Sequence, residues 1–180
     1  MKPIRNSLVA FAGLILFAAT VAIVIPLVSH EQAQGQGPPQ RDQRRLYYLS
    51  QNTRTGSGAL TGCVAGYHMA SLWEIFDPSN LKYNRELGLT GDDSGFGPPI
   101  SVNGEGAVGW IRTGNDADSG STAGQANCNA WTLENGDVAS GTVVQPALDW
   151  RTSTTATSVS PWIAKTVFCS FPQHVWCVQD

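Results

Sequence analysis

This sequence is short of charge. Asp, Glu, Lys and Arg make up 14% of its 180 residues, against about 25% in ordinary soluble domains. Lys2, Arg5 and Glu31 precede residue 41, so the rest of the chain holds nine Lys/Arg against thirteen Asp/Glu. It carries no basic stripe, which argues against a non-specific nucleic-acid binder. With so few charged side chains, the surface must be covered by Ser, Thr, Asn, Gln and Gly, a composition common outside the cytoplasm. There is no internal repeat and no Gly-x-Ser-x-Gly elbow. No cysteine stands close behind the N-terminal apolar run, which excludes a lipoprotein anchor.

That apolar run is the one long hydrophobic segment. Residues 8–28 contain no charge, with Lys2 and Arg5 before them and Glu31 and Asp42 after. This asymmetry leaves the N-terminus in the cytoplasm and exports the chain beyond the run. A signal-peptide core has about 7–15 apolar residues and a bilayer span needs about 20, so the 21 residues here favour a retained anchor. The small residues Ala33 and Gly35, flanking Gln34, offer a cleavage site and hence a secreted or periplasmic alternative. A buried core helix is excluded because no polar face interrupts the run. The expected organisation is a signal-anchor over 1–30, a flexible Gly/Pro/Arg-rich linker over 31–45 and one domain over 46–180.

Within that domain, Leu46-Tyr47-Tyr48-Leu49 reads as a first strand. Ser71 and Glu74 form a capping box, and Leu72, Ile75 and Phe76 give the helix behind it one apolar face. Asp77-Pro78 ends that helix or opens a turn. Residues 91–106 and 113–124 read as loops, with residues 107–111 between them as a buried strand. The Ser/Thr tract over 152–160 reads as a surface loop, and Val175-Trp176-Cys177-Val178 as a final strand. One or two early helices, then short strands and long loops, predict an α+β domain.

Four cysteines, Cys63, Cys128, Cys169 and Cys177, all lie beyond the export segment, which predicts two disulfides with three pairings open. The run Cys63-x2-Gly66-Tyr67-His68-Met69-Ala70-Ser71-Leu72 resembles the opening of a C-type lectin-like domain. Gly109-Trp110-Ile111 is similar to that fold's central strand. Cys128-x2-Trp131-Thr132, with the Cys169-x7-Cys177 ending, resembles the endostatin branch of the same superfold. The chain also looks like a group of bacterial exported proteins sharing the stretch from Gly66 to Ile75. The resemblance implies a C-type lectin-like fold with nested bridges, Cys63 to Cys177 and Cys128 to Cys169.

Several motifs bear on chemistry. Gly104-x-Gly106-x2-Gly109 matches a dinucleotide fingerprint in letters, but it runs into a strand rather than opening a helix. Cys63, His68, His174 and Cys177 could supply a zinc set, but export favours oxidising the two sulfurs. A calcium-dependent sugar site of the lectin kind needs a Glu-Pro-Asn or Gln-Pro-Asp loop, and the chain has Gln145-Pro146-Ala147. Asp116 and Asp118, and Asp92 and Asp93, lie in oxygen-rich turns without the distal carboxylate of a calcium loop. With only His68 and His174 in the domain and no free thiol expected, an enzyme is the minority reading. Most of the six tryptophans must fill the core. Trp131 and Trp162 border polar segments and are the candidates, with Asp116 and Asp118, for a binding face.

The expected function is an exported, membrane-tethered binding or adhesion domain, extracytoplasmic and without a cofactor or metal. Its partner would be an extracellular glycan or protein, and no nucleic acid. A secreted hydrolase working through loop carboxylates and a self-associating envelope protein are the alternatives. The fold does not choose the ligand.

Overall fold

The computed structural model describes residues 43–102, 105–134, 139–147 and 161–180. The apolar segment, the Ala33–Gly35 site, the 152–160 tract and Trp150 lie outside the described residues. No helix among the described residues is long and apolar enough to cross a membrane.

The strands are β1 (Arg45–Leu49), β2 (Tyr67–Met69), β3 (Leu81–Tyr83), β4 (Ser101–Val102), β5 (Glu105–Gly106), β6 (Gly109–Trp110), β7 (Ser140–Pro146), β8 (Trp162–Phe168) and β9 (His174–Gln179). Two short helical turns accompany them, α1 (Leu72–Ile75) and α2 (Cys128–Trp131), with 3-10 turns at Gly56–Thr61 and Pro78–Asn80. A mixed sheet runs in the order β3-β1-β9-β6-β7-β8, and β2 also pairs with β9. The α+β expectation holds.

β9 is the spine. One edge pairs antiparallel with β1, Val178 opposite Tyr47. The other edge takes β6 in parallel at His174 and Val175, then β2 antiparallel from Cys177 to Gln179. A strand paired on both edges and covered on both faces should be a continuous apolar run, and Val175, Trp176, Cys177 and Val178 are all buried. Trp110 and Trp176 fill the centre, their indole N–H groups donating to the carbonyls of Arg54 at 2.7 Å and Val144 at 3.0 Å. Gly109 lets β6 cross this centre. A Cβ there would stand 2.6 Å from Leu49 Cδ1 and 2.7 Å from Trp176 Cδ1.

Both bridges form in the nested pairing that the lectin-like resemblance implies: Cys63–Cys177, 114 residues apart, and Cys128–Cys169, 41 apart. Their sulfurs are therefore not available as zinc ligands.

Residues 107–111 are buried as expected, although only Gly109–Trp110 pairs as a strand. The stretch 91–106, expected to be loop throughout, carries the β4–β5 hairpin. The α2 turn is the departure from ordinary backbone. Cys128, Asn129, Ala130 and Trp131 have φ of 51°, 53°, 55° and 63°, a left-handed turn that costs each L-residue about 1–2 kcal/mol. Asn127, 3% exposed, is the hub that holds it. Its Oδ1 accepts from the N–H groups of Ala130 at 2.8 Å and Asp118 at 2.9 Å. Its Nδ2 donates to the carbonyls of Asp116 at 2.8 Å and Asn115 at 3.2 Å.

Candidate functional site

The short α1 turn owes its position to its cap. The Ser71 hydroxyl accepts from the Glu74 N–H at 3.3 Å, and the Glu74 carboxylate accepts from the Ser71 N–H at 3.0 Å and from its hydroxyl at 2.9 Å. This is the reciprocal capping box the sequence predicts. Ile75 is buried on the apolar face. Trp73 falls on the other side and is 82% exposed.

Glu74 also gathers side chains from two strands. Arg45 of β1 donates to its Oε1 at 2.8 Å and also to the Gln179 carbonyl at 2.7 Å. His68 of β2 lies between two carboxylates, Nε2 at 3.1 Å from Glu74 Oε1 and Nδ1 at 2.6 Å from Asp180 Oδ1. Burial alone would raise the Glu74 pKa. The Ser71 N–H, Arg45, the Ser71 hydroxyl and His68 outweigh it and hold the carboxyl at about 2.

Beyond α1, the chain turns through Pro78, and Asp77 closes the turn. Its carboxylate accepts from the Ser79 hydroxyl and, at 3.1 Å, from Asn80 Nδ2. These hydrogen bonds, that from Ser79 foremost, keep Asp77 below the usual carboxylate range. Trp73, Arg45, Glu74, Asp77, Asn80, Gln43 and Leu81 line an open cavity of about 490 Å³. The result is one exposed indole beside two anchored carboxylates, two amides and a guanidinium. Such a surface can stack a flat or ring-shaped ligand and hydrogen-bond its edge.

Trp131 and Trp162, the aromatic candidates for a binding face, are both largely buried. Trp162 is 6% exposed and packs edge-to-face on Trp176 at 5.0 Å. Trp131 is 7% exposed because the left-handed turn directs its indole onto Trp110 at 5.6 Å. What remains accessible of Trp131 reaches a separate cavity of about 440 Å³ shared with Arg112, Asn115 and Asn127. Asp118 turns its carboxylate onto the Gly120 N–H at 2.5 Å, while the Asp116 carbonyl is taken by Asn127. Among the described residues no group of three His, Cys, Asp or Glu is placed to hold a metal ion.

Trp73 is the residue that sequence reasoning missed, although its signal was present. Of the stripe expected at 72, 75 and 76, Ile75 is buried, whereas Phe76 caps the turn and is 43% exposed; position 73 lies off that face. A tryptophan there has no core to enter. No protein-family model matches the chain, and no curated protein or solved structure matches it.

Proposed function

We propose that the chain is an exported C-type lectin-like binding module that takes a glycan at the Trp73 groove without calcium. Residues 1–30 tether it to the membrane, and the disulfide-stapled domain is displayed on the extracytoplasmic side. The observation that carries this reading is the indole of Trp73, 82% exposed on a turn fixed by its capping box. An accessible indole beside hydrogen-bonding side chains is the kind of platform on which a ring-shaped ligand stacks. A pyranose offers a matching apolar face and a rim of hydroxyls. Asp77 can accept from those hydroxyls, and Asn80 and Arg45 can donate to them. The nested bridges and the Gly66–Leu72 stretch support the lectin-like fold. The 21-residue apolar run and its flanking charges support the tether.

A glycan array probed with the full chain and with Trp73→Ala tests the site. The expected outcome is chelator-resistant retention of a subset of glycans by the wild type, reduced about tenfold or more in the variant, with an unchanged thermal melt. Equal retention by both proteins would sink the groove as the binding site.

A further inference from the structure

The α1 turn has a second open cavity on its other side, of about 440 Å³. Ser71 lines it, and the Ser71 hydroxyl is bonded at 2.9 Å to Glu74, which lines the Trp73 groove. The two cavities therefore adjoin across the turn. Trp73 stands at their boundary, since a Cβ on Gly114, in the lining of the second cavity, would be 3.9 Å from Trp73 Nε1. The cavity opens where the chain after β6 parts from β7. Ile111 still donates to the Thr142 carbonyl, but Arg112 is already bridged to Ser71, and Asn127 has taken its place opposite Gly141. Arg112 lies two residues past Trp110, so alternation puts both on one face, the face on which Trp131 packs against Trp110.

Which polar groups are already bonded decides what this cavity can hold. The Asn127 amide and the hydroxyls of Thr113 and Ser71 bond within the protein. The Arg112 guanidinium, the Asn115 side-chain amide and the Trp131 indole N–H have no partner among the described residues. Trp131 is 7% exposed, yet its N–H is not enclosed, because the enclosed unpaired side-chain nitrogen among the described residues is His174 Nδ1. Its six-membered ring points into the sheet, Cζ3 being 3.2 Å from where a Cβ on Gly141 would stand. The opposite edge of the indole carries the N–H and is the part left to the cavity. Guanidinium and indole can only donate, and Arg112 is the charged residue of the lining. A carboxylate matches both, accepting from the guanidinium fork and from the indole N–H. In the Trp73 groove the charges are reversed, with Asp77 in the lining and Arg45 already bonded to Glu74, so a neutral ring is favoured there. Given the glycan reading of the Trp73 groove, on which this rests, we infer that the ligand is an acidic oligosaccharide. A neutral ring lies on Trp73, and the carboxylate of the adjoining ring is held by Arg112 and the Trp131 N–H.

The test is a titration of the full chain with aldotetraouronic acid, hyaluronan tetrasaccharide and sialyllactose, each beside its uncharged methyl ester, and with neutral glycans. At least one acid should bind about tenfold tighter than its ester, the preference a charged hydrogen bond supplies, and should shift the Trp131 indole N–H resonance as it saturates. Arg112→Gln, at an exposed position, should keep the thermal melt and bring that acid down to the affinity of its ester. Trp73→Ala should weaken acid and ester alike. The acidic assignment alone is overturned if no acid outbinds its ester, or if the preference survives Arg112→Gln, while esters or neutral glycans still bind through Trp73. If acids, esters and neutral glycans all fail to bind, the groove and its acidic extension fall together.

Discussion

The two disulfides tie the same sheet in different ways. Cys63–Cys177 joins the chain just before β2 to the spine strand β9, where Met69 stands opposite Cys177 in regular antiparallel register. Its neighbourhood is already held by strand pairing and by the Arg45–Glu74–His68–Asp180 chain of side chains. Cys128–Cys169 instead anchors a turn of four left-handed residues with no strand partner of their own. There the backbone is in a conformation L-residues disfavour, so the covalent bond and Asn127 must hold it against its preference. One bridge adds to a structure that the backbone favours, and the other maintains one that it does not. The left-handed turn also decides which tryptophan is hidden, since it turns Trp131 inward while the ordinary α1 turn leaves Trp73 out.

The largest expected effect separates the two bridges by loop length alone. Paired alanine substitution of Cys63 and Cys177 should lower the unfolding free energy by about 5 kcal/mol, and of Cys128 and Cys169 by about 4 kcal/mol, in the chain-entropy account. Urea titration of both variants measures the order. A reversed order would mean that the strain of the left-handed turn, and not loop length, sets what the shorter bridge contributes.

Acid sharpens the comparison next, because among the described residues the strongly shifted carboxyl, Glu74, lies on the β2–β9 side. Glu74 has a pKa lowered from 4.5 to about 2. Its contribution is present above pH about 4.5 and is lost as pH falls through about 2, since the unfolded chain takes up the proton first. The amount is on the order of 2 kcal/mol after discounting the partly exposed Arg45 pair for solvent screening. Glu74→Gln should remove that acid dependence from the wild-type stability profile, and a profile of unchanged slope would contradict the assignment.

Asn127→Ala should cost about 2 kcal/mol, because it removes a cap and leaves buried backbone groups unpaired. Ser71→Ala, which loosens a cap on ordinary backbone, should cost about 1 kcal/mol. If calorimetry finds the two equal, the left-handed turn does not depend on its asparagine hub. Gly141 offers an independent probe of the same place, as a Cβ there would sit 2.7 Å from Cys128 Sγ and 2.9 Å from Trp110 Cζ3.

The local features were the most legible. Ser71 and Glu74 cap one another within three residues, an interaction that requires no distant partner. The strand at Val175–Val178 was readable because a central strand is apolar at every position. β7 and β8 were missed. β7 is buried throughout, but its residues Ser140, Gly141, Thr142 and Gln145 are not apolar, so no hydrophobic run marks it. The burial of Trp131 was hidden from the sequence for a related reason. Trp131 stands among Asn129 and Thr132, which read as surface, and only the backbone hand at 128–131 turns its ring inward.

By itself the sequence determined a low-charge α+β domain behind an apolar segment, four cysteines able to form two bridges, and a capped turn at Ser71. Each of these rests on composition or on residues a few positions apart, where short-range sterics and hydrogen bonding suffice. Tertiary structure decided which side chains meet. Arg45, His68, Glu74 and Asp180 converge because β1 and β2 take opposite edges of β9. Those meetings join residues far apart in the chain, as His68 and Asp180 are, and only the packed sheet brings them within bonding distance.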